Sequence, residues 1–272
     1  MDNHSINSTP MNILFLLSTF LIFNFSATDK QGHQKWGQVG HYVTGEIAEL
    51  YLTDDVRDRV YEILGDRSMA LSSVWMDDIR SDSDYDYTRT WHWATIPDGM
   101  TYEEAEQDEG GDIIWALETL IEELKQGGLT EKEEKDKLRM VMHMVGDIHQ
   151  PLHVGTGEDM GGNQVRLQWM GDNSNLHRVW DSDIINSLQM SYTELAWEID
   201  TATQEEITEW QSATVRDWAY ESVSYRDRIY DLPDDMRIGY VYRFHNRDLV
   251  FKRLLQAGIR MAGVLNDIYG TE

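Results

Sequence analysis

Leu138-Arg-Met-Val141-Met-His143-Met-Val145-Gly-Asp147-Ile148-His149-Gln-Pro151-Leu-His153 is the stretch from which the rest of the chain is read. Leu138, Val141, Val145 and Ile148 recur at helical spacing and form one apolar stripe. At about 3.6 residues per turn, His143 and Asp147 share a face roughly opposite that stripe, one turn apart. They therefore look into a cleft or a second layer, not into the main core. Pro151 stops the helix, because it has no N–H to donate and its ring clashes with the preceding turn. His153 consequently approaches from another direction. Two imidazoles and a carboxylate converging in this way suit a transition metal, zinc first. His149 points about 200° round the helix from Asp147 and is expected to be a supporting residue.

The chain around this helix has 272 residues, 41% of them hydrophobic, enough for one sizeable core with no need of a second domain. Only 4 prolines, no repeat and no linker-like stretch interrupt it. The expected fold class is mainly α: a single-domain helical bundle with a short β-hairpin or strand pair. Ser/Thr followed three residues later by Glu marks helix starts at Thr101/Glu104, Thr130/Glu133, Ser191/Glu194 and Thr203/Glu206. Gly127-Gly128 ends a helix that begins near Asp112. Asn246 to Ile268 carries Leu249, Val250, Leu254, Ile259, Ala262 and Leu265 on one stripe, a closing amphipathic helix. Val165-x-Leu167-x-Trp169 alternates as a short strand would, and Gly171-Asp172-Asn173 is turn chemistry.

Composition excludes several classes. There is no cysteine, so no disulfide forms and any zinc must be held by His, Asp or Glu. A net charge of −26 argues against gripping nucleic acid through a broad basic face. It leaves open phosphate recognition through bound cations, which would have to be local. Ile13 to Phe25 is nearly all apolar and Ser26-Ala27 offers a cleavage site, so residues 1–27 read as an export signal. Cleavage as late as residue 35 is also open, which makes residues 36–272 the functional domain. The apolar run is short for a membrane span, and no lipid-anchor cysteine exists. The expectation is an exported protein, periplasmic or secreted, with no membrane anchor and no obligate protein partner. The glycosylation sequons at Asn3, Asn7 and Asn24 all fall in the removed segment.

Other candidates are individually weak. His177 and Asp181 repeat the four-residue spacing, yet such a pair alone is ordinarily a surface helix pair. Asp77, in Trp75-Met-Asp77-Asp78, would ordinarily be solvated. His92, in Trp91-His92-Trp93, would ordinarily be a buried, hydrogen-bonded histidine. His41 follows Trp36-Gly37 and Gly40, glycines that capping alone would explain.

Taken in order, these motifs read Trp-Gly-x-x-Gly-His, Trp-x-Asp, Trp-His, His-x3-Asp-x5-His, Gly-Gly-Asn, then His-x3-Asp. That pattern resembles the S-one/P-one nuclease family, zinc enzymes of the phospholipase C/nuclease superfamily that cleave single-stranded nucleic acid. The resemblance runs from Trp36 to the C-terminus. The absence of cysteine, and of sequons beyond the leader, makes the chain similar to a bacterial-type member. The resemblance implies a cleft holding three Zn²⁺ ions: one bound by Asp77, His92, His143 and Asp147; a second by His153, His177 and Asp181. The third would take His41, a bridging Asp147, and the free amine and carbonyl of Trp36. Asp77 is chosen over Asp78 because it matches the Trp-x-Asp spacing. Cleavage at Ala27 would leave Trp36 without a free amine, so the amine ligand requires a second cut.

The resemblance further implies hydrolysis of single-stranded DNA and RNA to 5′-phosphorylated products, with 3′-nucleotidase action a further expectation. Asp147 is then both ligand and catalytic group. Asp98, in Ile96-Pro97-Asp98-Gly99, is a candidate to orient or deprotonate the attacking water, or simply a turn residue. Trp93 stands where the family presents a base-stacking aromatic; core packing is the alternative. Asn163 is a turn residue or a substrate-binding neighbour of the site. Two competing readings are a zinc-dependent phospholipase C and a non-catalytic zinc-binding protein.

Overall fold

Polar caps start most of the helices and glycines stop several of them. The computed structural model describes Met1 and residues 37–65 and 67–270, so the proposed leader and Trp36 lie outside the described residues. Everything that follows belongs to the unit His33–Glu272.

In chain order the first helices are α1 (Gln38–Leu50), α2 (Asp54–Leu64), α3 (Met69–Ser72) and α4 (Trp75–Asp78). Strand β1 (Ala94–Thr95) precedes α5 (Ile113–Gln126) and α6 (Glu131–His149), and then comes β2 (Val154–Gly155). The hairpin β3 (Arg166–Trp169) and β4 (Asp172–Asn175) runs directly into α7 (Leu176–Arg178). A π-helical turn, Val179–Asp183, joins α7 to α8 (Ile184–Asn186). The remainder is α9 (Tyr192–Ile199), α10 (Gln204–Ser212), α11 (Val215–Ser224), α12 (Arg226–Ile229), β5 (Arg237–Ile238) and α13 (Tyr240–Tyr269). The fold is mainly helical with two small sheets, as the periodicity predicts.

The capping boxes at Thr130, Ser191 and Thr203 start α6, α9 and α10 with both reciprocal bonds formed. Asp112 caps α5 by accepting from the N–H groups of Ile114 and Trp115. Thr101/Glu104 is different. Glu104 accepts from the Thr101 N–H at 2.9 Å, but the segment remains a turn. The Tyr102 N–H is bonded to the Tyr220 hydroxyl, and the Tyr102 hydroxyl donates to Asp112, so tertiary contacts hold this backbone away from a helix. The hairpin turn also differs from the reading Gly171-Asp172-Asn173. Met170 (φ 50°) and Gly171 (φ 100°) form the two-residue loop, while Asp172 and Asn173 pair within β4. Two consecutive residues at positive φ match the twist of an antiparallel hairpin.

Two apolar clusters flank the site. One gathers Val141, Val145 and Ile148 of α6 with residues of α2, α5 and α11. The other gathers Leu152, Leu176, Val179 and Trp180 with α9 and the first half of α13. The chain crosses from one to the other at His153, between Leu152 and Val154. All six predicted stripe residues of the closing helix are buried.

Candidate metal centre

Separate elements along the chain deliver the candidate ligands, and local chemistry orients them. His143 and Asp147 lie one turn apart on α6, fully buried, with His143 Nε2 3.1 Å from Asp147 Oδ2. His143 Nδ1 donates to the Ser73 carbonyl at 2.7 Å, which leaves Nε2 as the lone pair facing inward. Ser73 Oγ in turn donates to the His41 carbonyl, tying α1 to the same point. The His41 ring stacks on His143 with centroids 4.0 Å apart, and His41 Nε2 lies 3.3 Å from Asp147 Oδ1. That stacking needs Gly146: a Cβ there would sit 2.7 Å from His41 Nδ1.

After α6, Gln150 caps a short 3₁₀ turn, Pro151–His153, with Pro151 in its first position. Proline thus redirects the chain as expected. The sequence reading missed what happens next. β2 pairs in parallel with β1, Ala94 opposite Val154 and Thr95 opposite Gly155. This sheet sets the segment carrying His92 beside the one carrying His153, and His153 Nδ1 donates to the His92 carbonyl at 2.8 Å. His92 Nδ1 lies 2.9 Å from Asp147 Oδ2. On the far side, the hairpin feeds α7, where the Asn175 side chain caps the Arg178 N–H. His177 Nδ1 donates to the Gly161 carbonyl at 2.7 Å. Its Nε2 lies 3.0 Å from Asp181 Oδ2, across the π-helical turn. Gly161 sits at φ +59°, and a Cβ there would meet the Leu152 carbonyl oxygen at 2.3 Å.

The described residues thus form three groups able to hold a metal ion: His41, His143 and Asp147; Asp77, His92 and His143; and His153, His177 and Asp181. Asp77, not Asp78, faces His143, with Oδ1 3.9 Å from Nε2. His149 lies outside all three. Its Nδ1 donates to the Val145 carbonyl and its Nε2 accepts from Arg260. Burial, then the charges of Arg253 and Arg260, hold its pKa well below the ordinary value, so it stays neutral.

Charge and donor chemistry support a cation here. Burial opposes ionisation of Asp147, but His143 and His153, with the adjoining His41 ring, hold the carboxyl well below the usual range. Burial likewise opposes Asp181, and His177 and His153 outweigh it. Both His41 ring nitrogens, Asp77 Oδ1, Asp147 Oδ1, His153 Nε2 and Asp181 Oδ2 are buried without a hydrogen-bond partner. Buried polar atoms are normally satisfied, and so dense a set of lone pairs fits shared cations. Imidazole nitrogen with carboxylate oxygen, and no thiolate, is a donor set suited to zinc.

Beside the centre an open cleft of about 340 Å³ is lined by Arg80, Trp93, Thr95, His153, Asn163 and His177. Trp93 is 37% exposed and lines the cleft. Asn163 donates to the Met160 carbonyl and borders the same space. The structure does not bring Asp98 to this place: its carboxylate is exposed and paired with Arg226 at 2.8 Å. Sequence reasoning missed Arg80, which lines the cleft 3.8 Å from Asp77. It also missed Gln150, whose amide donates to Asp181 Oδ1 at 2.5 Å while its oxygen accepts from Leu152 N–H. Arg80 stands three residues after Asp77, a spacing that pairs side chains on one helical turn; Gln150 has no such signal.

The S1/P1 nuclease family model matches residues 36–270. Endonuclease 2 of Arabidopsis thaliana is 27% identical, over 97% of this chain and 99% of its own length. Endonuclease 3 of the same plant is 29% identical, over 87% and 90%. Nuclease S1 of Aspergillus oryzae is 27% identical over about half of each chain, 55% and 54%.

Proposed function

We propose a zinc-dependent phosphodiesterase reaction for this chain, which belongs to the S1/P1 nuclease family. It is a nuclease acting on single-stranded nucleic acid, and the readings as a phospholipase C or a non-catalytic zinc protein are not favoured. The observation that carries the metal dependence is the set of buried, unpartnered imidazole and carboxylate lone pairs around Asp147.

Three zinc ions are assigned to the donors as follows. Asp77, His92, His143 and Asp147 would hold one; His153, His177 and Asp181 would hold another; His41 and Asp147, with the amine and carbonyl of Trp36, would hold the third. Asp147 suits a bridging role because its two oxygens face different imidazoles, Oδ1 toward His41 and Oδ2 toward His92 and His143. When bound, zinc would supply Lewis-acid stabilisation of phosphate charge and activation of the attacking water. The chain's own groups bind and orient. Carbonyls of Ser73, His92 and Gly161 fix the tautomers of His143, His153 and His177, which keeps each Nε2 aimed at the centre. Gln150 fixes Asp181. Trp93 offers a face on which an unstacked base stacks, worth roughly 1–3 kcal/mol and indifferent to sequence. Arg80 is placed to take a phosphate oxygen, and Asn163 a polar group of the nucleotide. Asp98, anchored by Arg226, is proposed only as an outer acid–base group of the loop that follows Trp93. Water displaces the 3′-oxygen from phosphorus, leaving 5′-phosphorylated products.

Incubation of the zinc-loaded protein with single-stranded DNA, RNA, a 3′-nucleotide and phosphatidylcholine tests this. The expected result is release of 5′-mononucleotides, lost on chelation and restored by Zn²⁺, with elemental analysis near three zinc per chain. Diacylglycerol as the sole product, or no turnover, would overturn it. We also propose export, with removal of residues 1–27 and further trimming to Trp36. N-terminal sequencing of the exported protein tests it, and a mature chain starting at Thr28 removes the amine ligand. No helix of the described residues is long and apolar enough to cross a membrane.

A further inference from the structure

The segment entering α13 contradicts the charge of the rest of the chain. Met236 to Arg247 contains Arg237, Arg243, His245 and Arg247 and no carboxylate, in a protein with 49 Asp and Glu against 23 Lys and Arg. Tyr240, Arg243, Phe244 and Arg247 follow the i, i+3, i+4, i+7 spacing that places residues on one helical face. On a closing helix packed into the fold such a stripe would normally be covered. Here it faces outward: Tyr240 is 70%, Val241 72% and Phe244 65% exposed.

Cation and ring alternate along the stripe. The Arg243 guanidinium lies 5.1 Å from the Tyr240 ring centroid, and that of Arg247 lies 5.6 Å from Phe244. Arginine stems covering exposed rings would be the ordinary explanation, but these rings stay open over most of their surface. Alongside, a groove of about 680 Å³ is lined by Arg228, Arg237, Tyr240 and His245. Asp231 shares that groove, and Arg228 is already committed to Asp248. Among the described residues no carboxylate pairs with Arg237, Arg243 or Arg247, although Arg243 also donates to the Ser187 carbonyl.

Guanidinium groups interleaved with exposed rings match a polyanion whose bases are unstacked: phosphates meet the cations while bases lie on the rings. A lipid surface can also take such rings at its headgroup level, but the alternation of each ring with a guanidinium along one helical face matches the alternation of base and phosphate in a single strand. The face is also built onto the elements that carry metal ligands. Tyr242, in the groove wall, accepts a hydrogen bond from Trp180 Nε1 at 2.9 Å, and Trp180 precedes Asp181. β5 pairs with β3, whose hairpin partner β4 runs into α7 and His177.

We propose that this face is a second binding site for single-stranded nucleic acid, with bases on Tyr240 and Phe244 and phosphates on Arg237, Arg243 and Arg247. It rests on the nuclease reading for its purpose but not for its detection. Fluorescence anisotropy of a labelled phosphorothioate dT20 reads binding directly, whether or not the cleft cleaves; hydrolysis of a thymidine dinucleotide reports on the cleft alone. In Tyr240→Ala/Phe244→Ala, the Kd for dT20 rises about tenfold or more, the loss expected for two stacking faces, while dinucleotide hydrolysis is unchanged. In Arg237→Gln/Arg243→Gln/Arg247→Gln, Kd also rises, and its dependence on salt flattens. Unchanged dT20 binding in both variants overturns the proposal. So does an equal loss on the dinucleotide. A wild-type dimer that the aromatic variant dissociates, with dT20 affinity unaltered, would assign the face to a second copy of the chain and overturn it too. A protein that binds dT20 through this face but hydrolyses nothing would sink the nuclease reading alone.

Discussion

Asp147 is a carboxylate with no access to water, surrounded by His41, His92, His143 and His153 within 3.4 Å of one or other oxygen. A buried carboxylate persists as an anion only where opposite charge or donated hydrogen bonds outweigh desolvation. Here the charges of His143 and His153 outweigh the cost of burial. The consequence is testable at one atom. Asp147→Asn keeps the shape and removes the charge and the bridging capacity. It should abolish hydrolysis and lower bound zinc by at least one ion per chain, read by elemental analysis. A fully active, fully metallated Asp147→Asn protein would refute the bridging assignment. The same residue-level argument separates His149 from the other histidines of the run. Its two nitrogens are already used by Val145 and Arg260, so no lone pair remains for a metal.

At the scale of the element, α6 supports its site by what it omits. Gly146 lies between Val145 and Asp147 and leaves room for the His41 ring. Alanine there gains up to about 1 kcal/mol of helix propensity. It also forces a Cβ to 2.7 Å from His41 Nδ1, and overpacking of that kind costs roughly 1–3 kcal/mol. The second effect wins. Gly146→Ala should lower the melting temperature slightly and reduce zinc at the position served by His41 more than at that of His153, His177 and Asp181. A variant more stable than wild type with unchanged zinc would show that the ring has space to move. The two-residue strands β1 and β2 act in the same way, as a clamp that aligns His92 with His153 and not as a sheet in its own right.

Across the whole molecule, α6, α11 and α13 meet at a buried ionic network. Arg253 donates to the His149 carbonyl, the Trp218 carbonyl and Ser222, and both Arg253 and Arg260 pair with Glu221. Burial raises the Glu221 pKa, but the two arginines outweigh it and leave it below its ordinary value of 4.5. A depressed carboxyl pKa contributes stability that is complete above the unfolded value and lost as pH falls through the folded one. Glu221→Gln should therefore lower stability at neutral pH and flatten the loss seen on acidification below about 4.5. Thermal melts of both proteins across pH 3 to 7 check this; parallel curves would show that Glu221 carries no linkage.

Much of this was legible in the linear chain because it depends on local rules. Helical periodicity, three reciprocal capping boxes and the break at Pro151 follow from backbone geometry over a few residues, as does the shared face of His143 and Asp147. The spaced His and Asp motifs identified the family over residues 36–270. What depended on distant partners was not legible. Thr101/Glu104 has the letters of a helix start, yet Tyr220 and Asp112 claim Tyr102 and the helix never forms. The parallel pairing of β1 with β2 joins segments some sixty residues apart, and two residues leave no periodic trace. Arg80 and Gln150 have ordinary neighbours in sequence and gain their roles only beside Asp77, Asp181 and the cleft. Sequence therefore determined the donors and the helices that carry them. Only tertiary structure decided which lone pairs meet, because convergence of buried, unpartnered atoms is a property of packing between elements and not of spacing along one.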